Sequence, residues 1–365
     1  MARGHRVTLI TGACAPAHRP DGAQTLALSE KRSSSVLRLR AFARWAKRQL
    51  REWGFDTSLS VTMAAPARIV QPRGGTLDEI VARSVARRGG GWRGLGKACV
   101  MRFEPKLRLL AKLERQTLAD PGVYRVAALG DYVVRQLQEH HGFDPQRVVV
   151  IPNGSLMPRA DDAQKAAWRA AVRRAHGVPG EAYALLLPAF NPDLKGYPTL
   201  LNALERLASE GLRPVVFLAG GFGDRQLAQA RRRGLEAQIR RAVPDADSGM
   251  AALYAAADVT VLPSWYDPSS KVVIESLMMS TPAISTVYDG SSGWVAPPSG
   301  PPRGVVLADP GDAGALTGAI RRLADPALRA GCAAACAGLG DELSMARHVD
   351  RLERLLADAG AGAAV

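Results

Sequence analysis

Two acids stand eight residues apart in the stretch WYDPSSKVVIESLMM: Asp267, ahead of a Pro-Ser-Ser turn, and Glu275, inside an apolar run. A helix flanked by KVVI and SLMM is apolar on most faces, and a carboxylate buried there without a partner is strongly unfavourable. A plain structural reading exists: Asp267 before Pro268 fits a helix cap followed by a first-position proline, with Glu275 solvated. The chemical reading gives both acids ligands. The unpaired amides of the Pro-Ser-Ser-Lys start, residues 268–271, the helix dipole and the Lys271 side chain together form a seat for phosphate. Glu275, two turns deeper, can accept both hydroxyls of a ribose, and Asp267 at the mouth can hold a sugar hydroxyl. A site with these parts suits a nucleotide sugar.

Such residues need a scaffold that brings them to one edge. Short apolar runs recur along the chain and read as buried strands: RVTLIT (6–11), YRVAAL (124–129), RVVVIP (147–152), YALLLPAF (183–190), PVVFLAGG (214–221), DVTVLPS (258–264), PAISTV (282–287) and GVVLAD (304–309). Segments with helical spacing, such as LLNALERLASEGL, separate most of them. This alternation predicts an α/β protein with parallel sheets covered by helices on both faces. Ligands of such sheets bind beyond the carboxyl ends of the strands, and the segment with Asp267 and Glu275 directly follows DVTVLP. The Asn-Gly turn between two prolines in IPNGSLMP marks a domain joint. The expected organisation is two doubly wound domains facing a cleft: residues 1–152, then 153–340, a last helix over 341–358 and a disordered tail at 359–365.

Composition narrows the field. At 365 residues the chain exceeds what one core usually fills. Its net charge of +14 lies entirely in residues 1–150, which hold 26 Lys and Arg against 12 Asp and Glu; the remainder is balanced at 22 against 22. The four cysteines, Cys14, Cys99, Cys332 and Cys336, form no Cys-x-x-Cys pair with partner histidines, so a zinc site is not expected and the thiols read as reduced. Cys332 and Cys336 share a helix face as small core residues. The chain shows neither a bilayer-spanning apolar run nor a signal peptide, so the expected location is cytoplasmic.

The stretch ALYAAADVTVLPSWYDPSSKVVIESLMMSTPAIST resembles the signature of glycosyltransferase family 4, retaining enzymes with the GT-B fold. Its hallmark is an acid, seven residues, then a glutamate; Asp267 takes the place of the commoner first Glu, and Glu275 the second. VVVIPNGS, LKGYPTLLNAL and VVFLAGGFGD match the family in order, over roughly residues 105–357, and the segment from Lys106 to Gly154 is most similar to lipopolysaccharide core glucosyltransferases. The resemblance implies that Lys195 and Asp267 are catalytic, Lys195 stabilising the charge that grows on the leaving diphosphate. It places Glu275, Ser269, Ser270 and Lys271 on the donor, and Gly220 and Gly221 in the turn that lets the nucleotide approach the backbone; a plain strand-end turn explains these glycines equally well. It implies a metal-independent hexosyltransferase with no resident cofactor, a UDP-linked sugar as the expected co-substrate and a glycan or glycolipid acceptor.

Two departures from the family stand out. The arginine that usually lies five residues before the lysine, or directly before it, is replaced by Phe190 and Leu194. The amino-terminal domain also lacks the family's first strand, Gly-rich loop and helix, which points either to a native start further upstream or to a non-catalytic remnant kept for binding. In the basic half, Ser35–Trp53 sets Leu39, Phe42, Ala46, Leu50 and Trp53 along one face among Arg and Lys. The basic stretch 86–115 carries Trp92 and Phe103. These read as solvated helices packed by an apolar stripe, or as a face for anionic lipid at the inner membrane. Nucleic acid is not the expected partner, because no stacking platform of aromatics accompanies the charge. Arg73, Gly74 and Gly75 in QPRGGTLDE are the acceptor-side candidates.

Overall fold

The computed structural model describes residues 3–13, 19–28, 34–89, 92–244 and 248–361. Cys14, the Gly90-Gly91 part of the basic stretch and residues 362–365 of the expected tail lie outside them. The chain divides into two compact units, one of Met1–Ala128, Val134–Val149 and Leu352–Val365, the other of Leu129–Val133 and Val150–Arg351.

The first unit carries β1 (Thr8–Thr11), β2 (Gln24–Ala27), α1 (Ser35–Glu52), β3 (Leu59–Ser60), β4 (Ile69–Val70), α2 (Leu77–Ala86), α3 (Trp92–Phe103), α4 (Pro105–Leu118), β5 (Arg125–Ala128), most of α5 (Asp131–His141) and β6 (Val148–Val150). Among the described residues its strands form two separate sheets, a parallel pair β1-β2 and a four-stranded sheet in the order β3-β4-β5-β6. In α1 the buried residues are Ala43 and Ala46, while Trp53, expected on the apolar stripe, is exposed and stacks on Phe55. Trp53 caps the carboxyl end of the helix, its indole N–H donating to Gln49 Oε1 at 3.0 Å.

The second unit holds α6 (Asp162–Ala175), β7 (Ala184–Ala189), α7 (Tyr197–Ser209), β8 (Val215–Gly220), α8 (Asp224–Arg232), β9 (Ile239–Ala242), α9 (Met250–Ala256), β10 (Val259–Val261), α10 (Lys271–Met278), β11 (Ala283–Thr286), α11 (Ser292–Val295), β12 (Gly304–Leu307), α12 (Ala313–Arg322), α13 (Pro326–Ala334) and α14 (Leu339–Glu342). Its six strands run in the order β12-β11-β10-β7-β8-β9, every pairing parallel. Alternate residues of β7 feed two cores: Leu185 and Leu187 join the cluster with α7, α10 and α12, while Ala184 and Leu186 join Tyr254 of α9 and Trp168 of α6. Burial on both faces is what a continuous apolar strand requires. The strand order reverses between β7 and β10, and it is at the carboxyl ends of the strands flanking such a reversal that these sheets bind ligands.

The last helix, α15 (Met345–Ala361), includes residues 359–361, which the sequence reading assigned to a disordered tail. Buried Ala359 explains the difference: its carbonyl accepts Arg68 Nη2–H at 2.8 Å. Cys332 and Cys336 are free and buried, as small core residues are. No helix among the described residues is long and apolar enough to cross a membrane.

Candidate active site

Lys195 follows β7 by six positions and Asp267 follows β10 by six, so each sits in the loop after one of the two strands that flank the strand-order reversal. The structure brings them together as an ion pair, with Lys195 Nζ also 3.5 Å from Ser264 Oγ. Both side chains are about four-fifths buried, at 19% and 18% exposure, so the pair is still partly reached by solvent.

Asp267 does not cap α10. Its carboxylate accepts the N–H of Ser269 at 3.1 Å, and its backbone is engaged with the neighbouring loop, Asp267 N–H donating to Tyr288 O and Gly290 N–H to Asp267 O, each at 2.9 Å. Residues 267–269 are therefore held in an Asx-type turn and the helix starts only at Lys271, capped by Ser270, whose Oγ accepts from Val273 N–H. The predicted phosphate seat narrows with it. The amides of Ser269 and Ser270 already donate to Asp267 and Asp289, so the first-turn amides of Lys271 and Val272 are those left without a protein acceptor among the described residues. Gly290 makes this arrangement fit: a Cβ there would lie 1.8 Å from Pro268 O.

Glu275 is held by hydroxyls. Ser155 Oγ donates to Oε1 at 2.9 Å and Tyr254 OH to Oε2 at 3.1 Å, while Lys271 Nζ lies 3.8 Å from Oε1. Burial, and then the Glu275 charge, push the Tyr254 phenol well above its ordinary range and keep it a donor. Each oxygen retains a lone pair for a further hydroxyl. Lys271 is 55% exposed, so its contribution to this cluster is small.

Several of these partners escaped the sequence. The Asn-Gly turn, read as a joint, is part of the site: Asn153 Nδ2 donates to Ser269 O at 3.1 Å and Ser155 reaches Glu275. Ser155 is fixed in turn by backbone bonds of 2.9 Å with Leu343 and Met345. Asp289 was missed altogether. It is fully buried, and its carboxyl is pushed up to about 7 by burial first and by the adjacent Asp267 second, against the pull of Ser291 N–H, Lys195 and Ser285. A polar residue after each carboxyl strand end is the signal that could have found it.

Gly220 and Gly221 end β8 against β7. A Cβ on Gly220, at φ +106°, would lie 2.6 Å from Ala189 O, and one on Gly221 2.4 Å from Phe190 O, so close approach of two strand ends accounts for both. Phe190, where the resembling family has arginine, is 94% exposed, and Leu194 supplies a carbonyl to Trp265 N–H. In the other unit, Arg73 and Gly74 are exposed on a loop pinned at its end: Gln136 accepts from Thr76 N–H at 2.9 Å and Glu114 from Leu77 N–H at 3.1 Å. Gly75 is buried, and Arg73 Nε–H bonds Gln71. Among the described residues no group of acids, histidines and cysteines could hold a metal ion.

Residues 183–326 match the family model described as glycosyl transferases group 1, and residues 1–154 match the model described as a glycosyl transferase 4-like domain. The chain is 32% identical over 200 residues to the D-inositol 3-phosphate glycosyltransferase of Geodermatophilus obscurus, covering 52% of this chain and 43% of that protein. It is 30% identical to its counterpart in Nocardiopsis dassonvillei over 68% of this chain and 58% of that one. The chain thus spans about half the length of the curated relatives it matches. Among solved structures it is similar to WaaG, a glycosyltransferase involved in lipopolysaccharide biosynthesis, with TM-score 0.75 and 20% identity over 97% of this chain and 92% of that one. It is also similar to Anabaena HepE in complex with UDP-glucose, with TM-score 0.59 and 15% identity over 92% and 86%. From its two halves and its strand order, the chain belongs to the glycosyltransferases built from a 4-like domain and a group 1 domain on the GT-B fold.

Proposed function

We propose that the chain is a retaining hexosyltransferase that moves a sugar from a nucleoside diphosphate, UDP foremost, to a saccharide acceptor on a lipid-linked glycan such as lipopolysaccharide core. The observation that carries the reading is the Lys195–Asp267 pair at the strand-order reversal, in the same unit as a glutamate already oriented by Ser155 and Tyr254. Glu275 takes the ribose hydroxyls, the first amides of α10 and Lys195 take the diphosphate, and Asp267 holds a hydroxyl of the transferred sugar. As the glycosidic bond breaks, charge grows on the leaving phosphate and the Lys195 ammonium stabilises it, the role a metal plays in other transferases. Binding of UDP-glucose by HepE supports the choice of UDP.

Arg73, Gly74 and Gly75 are proposed for the acceptor side. The basic surplus of residues 1–150 and the exposed Val100 and Phe103 support a peripheral position on the cytoplasmic face of an anionic membrane. The names of the curated relatives favour a second acceptor, an inositol phosphate, for the same donor chemistry.

A panel of nucleotide sugars tested for thermal stabilisation decides the donor. One UDP- or GDP-linked sugar is expected to raise Tm, and Glu275→Ala to abolish the rise; equal shifts in both proteins would count against the assignment. Incubating the stabilising donor with a lipid-linked glycan and with an inositol phosphate separates the two acceptors.

A further inference from the structure

Asp289 has no part in the chemistry described above, yet it is the carboxyl most deeply set into that site. It is 0% exposed. Oδ1 accepts the N–H of Ser270 at 3.1 Å and of Ser291 at 2.8 Å, and Oδ2 lies 2.8 Å from Ser285 Oγ. These partners belong to the cap of α10, to the turn before α11 and to β11, so one carboxyl fixes the helix start that is to receive phosphate. Asp289 also runs alongside Asp267 in a parallel bridge. The charged groups that face it are Asp267, from the loop after β10, and Lys195, from the loop after β7. The charged residues of α10, Lys271 and Glu275, face each other at 3.8 Å, and the contacts from β11 and the α11 turn are neutral hydroxyl and amide donors.

One ammonium thus serves two carboxyls, of which only Asp267 touches it. With Asp289 neutral the three groups sum to zero; with Asp289 ionised, a second carboxylate is buried with no cation of its own, beside a seat meant for an anion. We propose that Asp289 is a positioning residue that holds a proton in the free protein, and that loss of this proton weakens the binding of a nucleoside diphosphate at Lys195. This rests on the donor reading given above. In the neutral form the proton sits on Oδ2 and is donated to Ser285 Oγ, leaving Oδ1 to both amides; on ionisation it leaves to solvent.

The sign of the pH dependence follows. Because the folded carboxyl is raised from the usual 3.8 to about 7, its favourable contribution to stability is complete below the unfolded value and is lost as pH rises through neutrality. D289N mimics the neutral form, its amide oxygen accepting both N–H groups and its NH₂ donating to Ser285. Two measurements are made on wild type and D289N: Tm from pH 5 to 8.5, and UDP and GDP affinity by calorimetry at pH 6 and 8.5. Wild-type Tm is expected to fall over that span by several degrees more than that of the variant. Its nucleotide affinity is expected to fall by about tenfold more. Nucleotide binding with parallel pH profiles in the two proteins overturns the inference alone; no binding of either nucleotide by wild type defeats the donor reading and the inference together. Should D289N not fold, proton uptake when wild type binds UDP at pH 7.5, read from calorimetry in two buffers, takes its place, and its absence overturns the inference.

Discussion

Strands β7 and β10 carry a cation–carboxylate pair at each end, and the two pairs are built differently. At the amino ends, Arg173 pairs with Asp258 at 3.0 Å. Its guanidinium also donates to the carbonyls of Ala256, Pro179, Gly180 and Ala182 at 2.8–3.0 Å. Asp258 in turn accepts Ala184 N–H at 2.7 Å and Arg169 at 2.8 Å. At the carboxyl ends, Lys195 has Asp267 and a long contact to Ser264. Arg173 is 2% exposed and every edge of its fork is used. Lys195 is a point charge with donors to spare. A saturated pair locks two strands and a helix together; an under-coordinated pair at the end where such sheets bind ligands is poised to exchange a partner.

That contrast can be broken from either side. The largest effect is expected from Arg173→Met, which leaves Asp258 with Arg169 alone and takes the donor from the carbonyls of Ala256, Pro179, Gly180 and Ala182; it should lower unfolding stability by about 3–5 kcal/mol, read by denaturant titration. Lys195→Ala comes next, with kcat reduced by about 10²–10³ and a smaller loss of unfolding stability than Arg173→Met, because Asp267 is partly open to water, read by transfer assay and melting curve on one preparation. A Lys195 variant that melts early but turns over normally would reverse the roles of the two ends. Glu275→Gln keeps the shape and removes the charge; nucleotide affinity should drop by about tenfold, since hydrogen bonds to a charged acceptor contribute about 1.5–3 kcal/mol. Ser155→Ala is the mildest, about 0.5–1.5 kcal/mol in donor binding, because Tyr254 still orients the glutamate. If Ser155→Ala matched Glu275→Gln in size, the hydroxyl would be touching the ligand rather than aiming the carboxylate.

How far the sequence reveals this depends on where each partner comes from. Lys195, Asp267 and Glu275 are legible because each follows a strand whose apolar run is unmistakable, and because they recur at a spacing the resembling family shares. Ser155 and Asp289 are not, since they reach the site from segments 120 and 19 residues away in the chain, contacts that no local pattern encodes. The start of α10 is hidden for a related reason. Asp267 and Pro268 have the local chemistry of a helix start, but pairing of Asp267 with the Tyr288–Gly290 loop holds it extended, and Ser270 takes the position. Strands β3 and β4, two residues each, are too short to show alternation, whereas the six-residue β7 and β8 are plain.

The most direct measurement is a crystal structure with the nucleotide sugar that stabilises the protein most. The expected result has the ribose hydroxyls on Glu275, beside Ser155 and Tyr254, and the diphosphate on Lys195 and the first amides of α10. A nucleotide bound with its ribose away from Glu275 and its phosphates away from Lys195 would contradict the donor site outright.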